Sequence, residues 1–177
     1  MNKIIYLFLL VSFTFTACKK EEGCTDTMAI NYNVDAEEDD GSCLFTISGG
    51  VWTTQSIEYS GTMSITMMGL PILDSIINYT ETNPDSLEPY RLEFIEGNTV
   101  NSYTEYNQSN VSIEEGTWSL SGDQLTVNSP DTTLILTVNS VGKNDASISI
   151  VLDQSGSDGG VNFEIDITQT MYLNRQY

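Results

Sequence analysis

The chain has 177 residues, with 25 acidic and 6 basic side chains, no histidine, and a formal net charge of −19. Such a surface repels nucleic acid and anionic headgroups, and beyond Lys20 only Arg91, Lys143 and Arg175 are basic, too few for a phosphate-binding face. Without histidine, histidine-based catalysis and histidine metal ligation are excluded. At the amino terminus Lys3 supplies a positive charge, an apolar run extends from Ile4 to Phe15, and the small residues Thr16 and Ala17 follow. That order predicts a secretory signal peptide over residues 1–17. What remains is about one domain by length.

A cysteine directly after the small residues, Cys18, resembles the lipobox of bacterial lipoproteins. The resemblance implies cleavage before Cys18, a diacylglycerol on its sulfur and an acylated amino terminus. Several acyl chains, palmitate among them, bury enough methylene groups to hold a soluble domain on a membrane. The next residues, Lys20-Glu21-Glu22, resemble an export signal that directs some Bacteroidetes lipoproteins to the exterior face of the outer membrane. The expected localisation is therefore the outer membrane, lipid-anchored and facing outward. With Cys18 lipidated, Cys24 and Cys43 are left as a pair in an oxidising compartment, and a bridge between them has only one connectivity.

Residues 18–45 form a short polar module around the stretch GCTDTMAINYNVDAEEDDGSC. The run of Cys24, Thr25, Asp26, Ala29, Asn31, Tyr32, Asn33, Ala36 and Asp39-Asp40-Gly41-Ser42-Cys43 resembles a Cys-bounded pattern of secreted and surface proteins of the same bacteria. Thr27 and Val34 stand where that pattern has prolines. Two readings of the loop are open. In one, Asp26, Asn31, Asn33, Asp39 and Asp40 supply hard oxygen ligands to calcium, although their spacing is not that of an EF-hand. In the other, the loop is a solvated acidic spacer, closed by the disulfide and turned by Asp and Asn side chains.

From residue 46 to 177 the chain reads as strands and turns. In IEYSGTMSITM the residues Ile57, Tyr59, Met63, Ile65 and Met67 are apolar on one parity, with Gly61 breaking the row, while every residue of the other parity is polar. The pattern returns in VNFEIDITQTMYL, where Val161, Phe163, Ile165, Ile167, Met171 and Leu173 share a face. Shorter strands are predicted over residues 90–95, 117–120, 125–127, 132–138 and 147–152, separated by turn dipeptides such as Gly97-Asn98 and Gly122-Asp123. The segment from Met67 to Tyr79 predicts a strand leaving a bend at Gly69-Leu70-Pro71. Asp153–Gly160 reads as a flexible hairpin tip, with a second cation loop as the alternative. Eight to ten short antiparallel strands predict an all-β fold, a meander closed into a small barrel or barrel-like sheet, or a sandwich.

Within this region GTWSLSGDQLTVNS resembles a signature of lipocalin-like domains in Bacteroidetes lipoproteins, matched here by Trp118, Gly122, Asp123 and Leu125. An early Gly50-Val51-Trp52 and a final strand ending MYLNR accompany it. The resemblance implies a small lipocalin-like β-barrel over residues 46–177. Two functions follow from it. One is a binding module for a small apolar or amphipathic ligand. The other is an interaction protein with a filled barrel that contacts surface proteins or glycans. For the first, Tyr59, Met63, Ile65, Met67, Trp118, Phe163 and Ile165 are the candidate pocket residues, although core packing is the alternative role for Trp118 and Trp52. No nucleophile elbow or other catalytic constellation is present, and the chain is not expected to be an enzyme.

Overall fold

Where apolar and polar side chains alternate, the backbone is extended and paired. The structure, a computed structural model, describes residues 20–83, 86–103 and 113–176. The predicted signal peptide and Cys18 lie outside the described residues. The chain divides into two compact units, one ending at Leu44 and the other beginning at Phe45.

In the first unit two short strands, β1 (Glu22–Gly23) and β2 (Glu38–Asp39), pair in parallel. The Cys24–Cys43 disulfide joins the ends of the loop. Backbone hydrogen bonds from Asn33 to the Cys24 carbonyl (2.8 Å) and from Ile30 to the Leu44 carbonyl (2.9 Å) brace it.

The second unit contains β3 (Gly50–Met67), β4 (Leu70–Glu81), β5 (Arg91–Ile95), β6 (Thr99–Tyr103), β7 (Ile113–Ser121), β8 (Gln124–Asn128), β9 (Thr133–Val141), β10 (Asp145–Asp158) and β11 (Val161–Gln176). Sequential neighbours from β5 to β11 pair antiparallel, β5 pairs with the start of β3, and β11 pairs with β3 along its length. That last pairing closes an eight-stranded antiparallel barrel from β3 and β5 to β11, as the alternation predicts. Closure satisfies the backbone groups that an open sheet would leave at its edges.

Two elements depart from expectation. The sequence TVNSY of β6 puts its two largest apolar residues, Val100 and Tyr103, on opposite parities, so alternation does not single it out. Asp153–Gly160 is not a flexible tip: β10 continues to Asp158, and only Gly159 and Gly160 make the turn.

Strand lengths differ sharply, and the difference shapes the unit. β5, β6 and β8 have 5 residues each, whereas β3 has 18, β10 has 14 and β11 has 16. β9 pairs with β10 only as far as Ser149, and β4 pairs only with the upper part of β3. The upper halves of β3, β10 and β11, with β4, therefore run on beyond the barrel as a four-stranded arm. Its registers put Tyr79, Tyr59, Gln169 and Ile150 on one rung, and Ile77, Gly61, Ile167 and Leu152 on the next. Two rungs higher lie Leu73, Ile65, Phe163 and Gly156. This face continues the row of Ile57, Met171 and Ile148, which are buried in the barrel core. The break at Gly61 has a steric cause: a Cβ there would strike the Asp166 carbonyl of the adjoining strand.

Candidate functional site

One end of the barrel is filled by aromatic side chains. The Trp52 indole N–H donates to the Ile47 carbonyl at 3.0 Å, and both residues are fully buried. Gly50 makes room for that indole, because a Cβ there would overlap the Trp52 ring. The Arg175 guanidinium lies 4.5 Å from the Trp52 ring, and its Nη2 donates to the Thr46 carbonyl at 2.6 Å. Trp118 meets Phe94 edge-on, with ring centroids 5.5 Å apart, and its indole N–H donates to the Ile95 carbonyl at 3.2 Å. Trp118 is thus a core residue packed on Phe94.

Further along the interior is a cavity of about 190 Å³. Leu92, Phe94, Val100, Leu125, Leu136, Ile148 and Met171 give it apolar walls, and Ser102, Glu114, Ser129 and Thr132 also line it. Glu114 is the charged residue in that lining, and it sits opposite Ser102 in the β6–β7 ladder. The arrangement suits a molecule with an apolar body and a polar or cationic end.

None of the seven predicted pocket residues lines this cavity. Tyr59, Met63, Ile65, Met67, Phe163 and Ile165 do share one sheet face with cavity residues Ile148 and Met171, but they stand on the arm. Tyr59 stacks on Tyr79 with centroids 4.7 Å apart, and burial, aided by Tyr79 and Glu81, raises its phenol pKa. Met67 and Phe163 are exposed. A period of two reports which face a residue is on, not how far along the strand the barrel extends. The cavity residues could have been found by asking where the short strands Arg91–Ile95 and Gln124–Asn128 coexist with the long ones. A larger depression of about 450 Å³ lies on the arm among Ser64, Thr66, Ser155, Ser157, Asn162 and Glu164. Gly156 and Phe163 complete its lining, and it is open to solvent.

In the first unit the five residues named as calcium donors turn their side-chain oxygens to the backbone. Asp26 Oδ1 accepts from the Met28 N–H, Asn33 Oδ1 from Asp35, Asp39 Oδ1 from Gly41 and Asp40 Oδ1 from Ser42, at 2.9–3.0 Å. Asn31 bridges the loop, accepting from the Leu44 N–H and donating to the Ser42 carbonyl, both at 2.7 Å. Hydrogen bonds from the Ser42 side chain and amide hold the Asp40 carboxyl below its ordinary pKa. Among the described residues no group of three His, Cys, Asp or Glu side chains converges to hold a metal ion. The geometry is that of consecutive Asx turns closed by a disulfide.

A closed antiparallel barrel of eight strands with an interior cavity defines a small β-barrel of the up-and-down class. Residues 47–169 match the family model of the lipocalin-like domain, and the chain belongs to that family. No curated protein matches the chain. No solved structure matches it either.

Proposed function

We propose that this protein is an exported, lipid-anchored binding module whose barrel takes up one small amphipathic molecule. The cavity of about 190 Å³ carries the reading. A dry apolar cavity of roughly 150 Å³ is enough to bind a benzene-sized molecule. The apolar body would lie among Leu125, Leu136 and Ile148, with its polar end at Ser102 and Glu114. Burying roughly 150–200 Å² of ligand surface at about 25 cal/mol per Å² gives about 4–5 kcal/mol, before the cost of losing ligand freedom. Affinities of about millimolar or weaker follow for the simplest ligands.

The test is an NMR titration with benzyl alcohol and benzylamine. Saturable shifts in the amides of β5, β8 and β10 are expected, larger in affinity for the amine. Val127 also lines the cavity; Val127→Phe, which fills it, should abolish them, and Glu114→Gln should remove the preference for the amine. No saturable shift up to the solubility limit would overturn the cavity reading.

The anchor draws support from the apolar run, the small residues and Cys18 at the amino terminus, and from Lys20-Glu21-Glu22 as an outward export signal. Cys18→Ser is expected to release the protein from membranes and to block acyl labelling. Unchanged membrane retention would count against the anchor. A second reading, in which the outer surface contacts protein or glycan partners, draws on the exposed apolar arm.

A further inference from the structure

From the apolar face of the arm we infer that two copies of this protein pair face to face. The face belongs to β4, β3, β11 and β10 above the rung of Tyr59, and it continues the barrel's inner surface out of the closed ring. Four strands about 4.8 Å apart, each running about 8 residues at about 3.3 Å, give roughly 500 Å² in plan before side-chain relief is counted. That is near the upper limit of the apolar patch a monomer leaves exposed. Two such faces together bury about 1,000 Å² or more, the size at which specific interfaces begin.

Charge identifies the occupant. In a chain of net charge −19, this face carries charged side chains only at its margins, Asp158 at the far corner and Glu81 on β4 one rung below Tyr79. The acids Glu58, Asp74, Asp153, Glu164 and Asp166 all project from the reverse side. A fitting partner is an uncharged, apolar sheet, and a second copy presents one under a two-fold axis while keeping both acidic reverse faces in water. Two sheets so packed, about 10 Å apart, make a β-sandwich. A bilayer fits worse, because sinking the face into hydrocarbon would carry Asp74, Glu164 and Asp166 with it. The reverse side also bears Ile76, which is 85 % exposed, and this provides an internal control.

The experiment is sedimentation equilibrium of the chain from residue 18 onward, without the predicted signal peptide and carrying Cys18→Ser, which removes the cysteine outside the Cys24–Cys43 disulfide. A dimer with a micromolar dissociation constant is expected. Phe163→Asp and Leu73→Asp, on two different strands of the face, should each weaken it by about 100-fold or more, since each buries an unpaired carboxylate. Ile76→Asp should leave it within a few-fold. Near-UV circular dichroism reports whether each variant keeps the native barrel, and either face variant alone suffices. A native chain that stays monomeric to submillimolar concentration would overturn the inference. So would dissociation by Ile76→Asp with Phe163→Asp silent, which points to edge pairing through β4. Binding of the native monomer to phosphatidylcholine vesicles, lost in Phe163→Asp, would replace the second copy by a membrane.

Discussion

The Arg175 guanidinium, 4.5 Å from the Trp52 ring and bonded to the Thr46 carbonyl, ties the end of the last strand to the segment that enters the first strand of the barrel. A cation over an indole contributes about 1 kcal/mol, and a charged hydrogen bond about 1.5–3 kcal/mol where it is shielded from water. Arg175 is 9 % exposed, so both terms apply. Arg175→Ala is expected to destabilise the domain by about 3 kcal/mol, read from urea midpoints, and Arg175→Lys to recover about half, because an ammonium lacks the planar fork. An unchanged midpoint in Arg175→Ala would show that this contact does not close the barrel. The sequence motifs point to Gly50-Val51-Trp52 and to MYLNR separately. Their contact was not legible, because nothing local in either motif encodes the pairing of the first and last barrel strands.

Among the elements, legibility followed the strength of the alternation. β11 was readable from Val161 to Leu173, almost end to end, whereas in β3 the alternation covers only Ile57–Met67 and the stretch Gly50–Ser56 was not legible as strand. The register slips opposite Tyr172 and Leu173, so the inward parity changes between Thr54 and Ile57 and the lower inward row does not follow the odd numbers. β4 carries Leu70, Ile72, Leu73, Ile76 and Ile77 on both parities, and the structure gives two reasons. Ile72 is the extra residue where the register shifts against Ile65 and Thr66, and Ile76 faces the reverse side of the arm. In the first unit, closing a loop of this size by a disulfide contributes roughly 3 kcal/mol, chiefly by restricting the unfolded chain. The Asx turns then fix its course locally, which explains how so short a segment with few apolar residues adopts one backbone path.

Across the whole β domain, barrel and arm rest on different terms. In the barrel, apolar side chains from eight strands meet in one core that includes Trp52, Phe94, Leu125 and Ile148. In the arm, each side chain has neighbours on one sheet only, and β4 is hydrogen-bonded along one edge only among the described residues. Local opening is cheapest where buried apolar contact is sparse and backbone bonds face solvent. Amides of β5, β8 and β9 should therefore exchange only through global unfolding, and those of β4 through local opening at a smaller free energy. If a second copy covers the arm, opening β4 requires dissociation first, and mass action makes its protection depend on concentration. Hydrogen exchange followed by mass spectrometry across a dilution series separates the cases. Over a roughly hundredfold dilution, β4 protection should fall about tenfold, the square-root dependence of a dimer, while the barrel amides stay constant. Equal protection of β4 and β8 at every dilution would mean that the arm and barrel unfold as one unit, and that the arm's apolar face is stabilised within the monomer.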